Sequence, residues 1–222
     1  MPYVFAIFSI IVWSFGAVVS KITLNEISVF TFNFFLFLSA TVALAIICFF
    51  TKRFKLIKKF NPKDYLILSF LGILGVAIYY FFYSRAYQLI PAQQAYLLNY
   101  SWPVWIVIFT LLLNRDKGTP KTWISILLGF LGISIIITQG AWPIIIQSKL
   151  GAFFALMAGF SYGLFSTLGR RLKYDTTLAM FWYFGISTLA LIPVLIWHPI
   201  DTNLSLSTWG GILWMGVISG AL

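Results

Sequence analysis

Seven stretches long and apolar enough to cross a bilayer follow one another in 222 residues, at roughly 4–24, 28–50, 65–89, 92–113, 122–140, 150–168 and 177–197. A helix needs about 20 such residues to span the hydrocarbon. In lipid the backbone polar groups must be satisfied inside the segment, which makes each crossing helical. The expected fold is therefore an all-α integral membrane protein. An eighth apolar run opens near Thr208 and stops at Leu222, about 15 residues on, too short to span. The expectation is a piece of a longer chain.

Order within these segments narrows the fold further. Trp13-Ser14-Phe15-Gly16 in the first recurs as Phe160-Ser161-Tyr162-Gly163 in the sixth. Leu71-Gly72-Ile73-Leu74-Gly75-Val76-Ala77 resembles Met215-Gly216-Val217-Ile218-Ser219-Gly220-Ala221, with the spacing shifted by three residues. Stepping over five spans reverses the direction of crossing, and inverted repeats are a signature of secondary transporters with a site at the repeat interface. The expected architecture is a ten-helix, five-plus-five inverted-repeat transporter fold, of which about seven and a half helices are present. Residues 1–140 form the first repeat and 141–222 an incomplete second one, and the parent would run to about 280–285 residues.

The net charge of +10 is placed rather than spread. Lys52, Arg53, Lys55, Lys58, Lys59 and Lys63 lie between segments two and three, Arg115, Lys117 and Lys121 after four, and Arg170, Arg171 and Lys173 after six. These alternate loops hold twelve of the fifteen basic residues; only Lys21, Arg85 and Lys149 fall on the other side. That is the positive-inside pattern, with the N-terminus cytoplasmic. It accounts for the charge without nucleic acid. Met1-Pro2-Tyr3 carries no basic side chain and no small-residue cleavage site follows, unlike a removable signal peptide. Cys48 is the only cysteine and His198 the only histidine, leaving no internal disulfide and no metal or cofactor motif. A membrane enzyme would need acids, histidines or an activated nucleophile at the surface. The scattered acids and one loop histidine argue against one.

Helical faces supply candidate site residues. Ser9, Trp13, Gly16, Ala17 and Ser20 share one side of the first segment, and Gly16-x-x-x-Ser20 recurs as Gly163-x-x-x-Thr167. Small residues four apart let helices approach, so these two segments are expected to pack on each other, a cavity wall being the alternative. Gly72, Gly75 and Val76 align with Tyr79, Tyr80, Tyr83 and Tyr87 on the third segment. An interfacial belt accounts for Tyr87 and for Tyr83; the deeper phenols need partners, which a wet cavity would supply. Arg85 points away from this stripe and is expected to snorkel. In the fourth segment, Pro103 frees the carbonyl of Asn99 and kinks the helix. Gln94, Ser101 and Trp105 share one face, while Tyr96, Asn99, Pro103 and Thr110 share the opposite one. Spacing alone leaves open which faces a pathway.

The run Asn99-Tyr100-Ser101-Trp102-Pro103, followed by Asn114-Arg115-Asp116, resembles the drug/metabolite transporter superfamily of EamA type, and within it the bacterial aromatic amino acid exporters. Trp13-Ser14, Gly129-x-x-Gly132 and Gly151-Ala152-Phe153-Phe154-Ala155-Leu156 support the likeness, whereas Arg85 stands where many relatives have an apolar residue. The resemblance implies ten helices, a central cavity and cytoplasmic termini in a bacterial inner membrane. By position it implies Trp13, Tyr79, Tyr83, Asn99, Tyr100, Trp102 and Tyr162 as substrate-binding residues. The partners expected are the bilayer and a small amphipathic metabolite, most plausibly an aromatic or neutral amino acid, exported by alternating access. Drugs, nucleoside-like cations and a non-transporting fragment are the alternatives. Glu26, Asp64, Asp116, Asp175 and Asp201 all lie in or beside loops, so no buried proton relay is visible. Facilitated diffusion or exchange is expected.

Overall fold

A computed structural model describes residues 2–114, 118–138 and 147–220, with side chains described except at 2–11, 114, 133 and 136–138. The side chain of Ser9, the residues Arg115, Asp116 and Lys117, the expected repeat boundary at 140/141, and Ala221 and Leu222 lie outside these. Every regular element among the described residues is helical. In chain order they are α1 (Pro2–Glu26), α2 (Val29–Phe50), a 3-10 helix (Arg53–Lys59), α3 (Pro62–Leu89), α4 (Ala92–Asn99 and Trp102–Asn114), α5 (Pro120–Thr138), α6 (Lys149–Gly169), α7 (Thr176–Trp197) and α8 (Leu206–Leu213, continuing to Gly220). Five of them, α2, α3, α4 over Ala92–Leu113, α6 and α7, are long and apolar enough to span a membrane.

Short polar residues set where the helices begin. Ser28 Oγ accepts from the Thr31 amide at 3.2 Å, Ser148 Oγ from Gly151 at 3.1 Å, Asp175 from Leu178 at 3.0 Å and Ser205 Oγ from Thr208 at 3.1 Å. These caps satisfy amides that a helix start leaves without partners. At α3, Asn61 and Asp64 form a reciprocal capping box with Pro62 in the first turn. The helix therefore starts three residues before the apolar run at 65.

Two helices are wound in π turns, α3 over Ile73–Ile78 and α8 over Trp214–Gly220. These are the two places where the sequence repeats the Gly72 and Gly216 motifs. A π-bulge adds a residue without ending the helix.

The chain forms two compact units, Met1–Ala77 with Lys173–Leu222, and Ile78–Leu172. In the first unit α2 lies along α7, with Phe37 and Phe184 rings 6.1 Å apart and the Thr41 and Thr188 hydroxyls at 3.5 Å. A Cβ on Gly72 would sit 2.9 Å from Tyr183 Cα, so α3 meets α7 backbone to backbone, and Ser187 Oγ donates to the Gly72 carbonyl at 3.0 Å. The same construction joins α8 to α2, where a Cβ on Gly216 would lie 2.6 Å from the Leu36 carbonyl oxygen. Gly16 rests on Met215 of α8.

In the second unit, α4 and the Tyr79–Leu89 half of α3 pack on α6. Gly163 takes the backbone of α4, a Cβ there being 3.2 Å from the Trp102 carbonyl oxygen, and Thr167 Oγ1 donates to Gly163 at 2.8 Å and to Ile106 at 3.4 Å. This corrects the expectation that the Gly16 and Gly163 pairs pack on one another. Each glycine's open side is filled by a helix of its own unit, a choice that small-residue spacing does not encode.

Candidate functional site

Helix α4 stops and restarts. The Tyr100 amide donates to Tyr96 and the Ser101 amide to Leu98, after which the Ser101 carbonyl accepts from Val104 and Trp105. The break thus falls at Tyr100–Ser101, and Pro103 sits in the first turn of the second segment, where its missing N–H costs nothing. The expected mid-helix kink at Pro103 is in fact a new helix start. The Asn99 carbonyl oxygen lies against another helix. It abuts Gly159 of α6, where a Cβ would approach it to 2.8 Å. Ser101 and Trp105 face α6 as well, so their face of α4 is a packing face.

The break turns α4's polar residues toward α3. Asn99 is buried, and its Nδ2 donates toward the Tyr79 hydroxyl at 3.5 Å. Among the described residues Asn99 Oδ1 has no hydrogen-bond partner, and neither do Ser101 Oγ and Trp105 Nε1 nearby on α4. Three buried polar atoms left open along two turns are uncommon, because each costs about 1–3 kcal/mol unless something occupies it.

Around Asn99 the rings form a continuous chain. Tyr87 meets Tyr83 with centroids 4.4 Å apart, Tyr83 meets Tyr79 at 5.7 Å, and Tyr79 meets Tyr162 at 5.3 Å. Tyr162 then meets Trp102 at 5.6 Å, Trp102 meets Tyr100 at 6.1 Å, and Tyr100 meets Tyr96 at 4.7 Å. These are separations at which aromatic pairs attract. Three helices contribute, and the close approach of α6 through Gly159 and Gly163 brings Tyr162 to the other two.

Six of the seven residues expected from the sequence, Tyr79, Tyr83, Asn99, Tyr100, Trp102 and Tyr162, are thus gathered in one unit. Trp13 belongs to the other, on α1, with half its surface exposed. Tyr87 is wholly buried and Tyr83 nearly so. This corrects the interfacial-belt expectation: the end of α3 is covered by packing, with Gly151 of α6 against Leu89 and Ile90. Arg85 donates to Gln88 at 3.2 Å and lies 5.8 Å over the Phe81 ring, near the helix end.

Tyr96, which the helical spacing places on the Asn99 face but which is not among the expected binding residues, extends the ring chain; sequence reasoning passed over Trp214 on α8. The Trp214 indole N–H is buried without a partner among the described residues, and its ring meets Phe15 edge-on at 6.1 Å. An indole inside the short eighth run gave no polar signal to find it by.

Helices throughout the described residues, five of them long and apolar enough to cross a membrane, define a multi-pass membrane protein. The chain belongs to the EamA-like transporter family, whose family model matches residues 1–138. An uncharacterized transporter of Archaeoglobus fulgidus is 25% identical over 188 residues, covering 83% of this chain and 63% of that one. The aromatic amino acid exporter YddG of Ancylobacter novellus is 24% identical over 152 residues, covering 67% of this chain and 50% of the exporter. A protein of known crystal structure superposes with a TM-score of 0.72 at 19% identity, over 97% of this chain and 74% of that one, a likeness of fold. The chain spans about three-fifths of the length of the curated relatives it matches first.

Proposed function

We propose that the full-length protein is a carrier exporting small amphipathic metabolites, most plausibly aromatic or neutral amino acids, by alternating access. The observation that carries this reading is the open Asn99 oxygen set within the Tyr83–Tyr79–Tyr162–Trp102–Tyr100 ring chain. Rings hold an apolar side chain and attract an ammonium through their faces, while the amide oxygen accepts one of its protons. Trp13 is the proposed contribution of α1. The relative named an aromatic amino acid exporter supports both the substrate class and the outward direction.

Alternating access requires two halves that move against each other. We assign residues 1–140 and 141–222 to inverted repeats. Support comes from the matched joints: Gly72 of α3 on Tyr183 of α7, and Gly216 of α8 on Leu36 of α2, each beside a π-wound turn. The alternate basic loops support a cytoplasmic N-terminus in the plasma membrane. Among the described residues the acids serve helix ends, with Asp175 and Asp201 engaged by Arg53 and Ser28 and Asp64 by Tyr174. These engagements support facilitated diffusion or exchange.

The test uses the full-length protein in proteoliposomes loaded with radiolabelled phenylalanine, with and without a pH gradient. Efflux indifferent to the gradient and about tenfold lower in Trp102→Ala is the expected result, since ring pairs contribute about 0.5–1.5 kcal/mol each and Trp102 makes two. No efflux would sink the amino acid assignment and turn the search to nucleoside-like cations. Strong gradient dependence would sink the coupling claim alone.

A further inference from the structure

The turn between α2 and α3 is shaped by three-residue periodicity. A 3-10 helix brings residues three apart onto one edge with a rise of about 2 Å per residue. Phe54 and Ile57 share an edge that ends at Phe60, and this edge is anchored. Phe54 meets Phe181 at 5.3 Å, and Phe60 meets Tyr174 at 5.4 Å and Tyr65 at 5.8 Å. The next edge carries Lys55 and Lys58, spaced by about 6 Å of rise, with Lys59 beside them and Lys52 on the left-handed turn just before (φ 58°). Lys52, Lys55, Lys58, Lys59 and Lys63 are all exposed, and none is in an ion pair among the described residues.

Asp175 and Asp64 are already engaged. Arg53 pairs with Asp175, which also caps α7, and Asp64 accepts from the Tyr174 hydroxyl at 2.6 Å and the Asn61 amide at 2.8 Å. The same contacts tie the segment to α3 and α7. On its approach from α2, Phe49 and Phe50 are 70% and 76% exposed, apolar rings directly beside the lysines. The segment joins two membrane-length helices and so lies at a membrane surface. Topology needs only that the charge be there, and a disordered loop would serve. Here the charge stands on an anchored edge that follows two exposed apolar rings.

We propose that this edge, Lys55, Lys58 and Lys59 with Lys52 and Lys63 at its ends, is a docking surface for anionic phospholipid headgroups of the surrounding leaflet. Phosphodiesters meet the ammonium row while Phe49 and Phe50 lie among the acyl chains. The proposal is independent of what the protein carries.

Nanodiscs of mixed phosphatidylcholine and phosphatidylglycerol, followed by native mass spectrometry, measure how much anionic lipid the chain retains. A near-surface lysine contributes about fivefold to such binding. The K55Q/K58Q/K59Q variant should therefore lose retention by tenfold or more, while K121Q/K149Q/K173Q, which removes the same charge from other exposed sites, keeps it. Wild-type retention should also fall steeply as salt is raised. A thermal melt in pure phosphatidylcholine discs confirms that the variants fold, and the wild-type salt series decides the matter should the triple variant not fold. Equal losses in both triple variants, salt-independent retention, or inorganic polyphosphate competing as well as the lipid would each overturn the proposal.

Discussion

At Asn99 stability and the proposed binding role make opposite demands on one side chain. Its Nδ2 is directed to Tyr79 and its Oδ1 is buried without a partner. An unfilled buried acceptor lowers stability, and an apolar side chain of similar shape removes that cost. Asn99→Leu is thus expected to raise the thermal midpoint by about 2–4 °C while reducing phenylalanine efflux by about tenfold. Differential scanning fluorimetry in detergent and proteoliposome efflux read the two effects. A lowered midpoint would make Asn99 a structural residue. Gly159 is the converse case. A methyl there meets the Asn99 carbonyl oxygen at 2.8 Å and the Trp102 nitrogen at 3.2 Å, both backbone atoms that cannot swing aside. Gly159→Ala should cost about 1–3 kcal/mol, read as a fall in the same midpoint.

At the scale of elements, glycines of similar sequence context divide sharply. Gly72 and Gly216 are joints between helices, whereas a methyl placed on Gly129 or Gly132 of α5 would meet nothing within 4 Å. Gly72→Ala and Gly216→Ala should each destabilise by about 1–3 kcal/mol. Gly129→Ala and Gly132→Ala should be neutral or stabilise by up to about 1 kcal/mol through helix propensity. Comparable losses at all four positions would remove the distinction between joint and open glycines. Hydropathy and caps had located the helices well: the run from 28 begins at the Ser28 cap, and the run from 177 at Asp175. They were less informative about α3, where Asn61–Asp64 extends the helix into polar sequence, and about α4. Its break before Pro103 sits where the Asn99 carbonyl oxygen lies against Gly159 of α6, a contact made across 60 residues of chain.

For the whole molecule, charge governs both orientation and acid stability. With alternate loops basic, an N-terminal tag is expected to be protected from protease added outside intact cells; digestion would reverse the orientation. Asp175 is held below the ordinary aspartate value of 3.8, chiefly by its hydrogen bond from Arg53. Asp201 is lowered too, chiefly by the Ser28 amide. A depressed carboxylate stabilises the fold fully above its unfolded value, and that contribution is lost as pH falls through the lower folded value. Melting midpoints should therefore be flat above about pH 5 and drop below about pH 4. Asp175→Asn should flatten the drop, and an unchanged acid limb would show that these two acids do not govern it.

Amino-acid order alone determined that this chain crosses a membrane many times, where most helices begin and which loops carry the charge. Each of these is read along one helix at a time, from apolar length, capping chemistry and the 3.6-residue turn. Tertiary structure decided that Tyr162 of α6 links the tyrosines of α3 to Trp102 of α4, that Tyr87 is buried, and which glycines are joints. Those outcomes depend on how helices are rotated and how closely they meet, and that is set by backbone contacts between residues far apart in the chain, at Gly72, Gly159, Gly163 and Gly216.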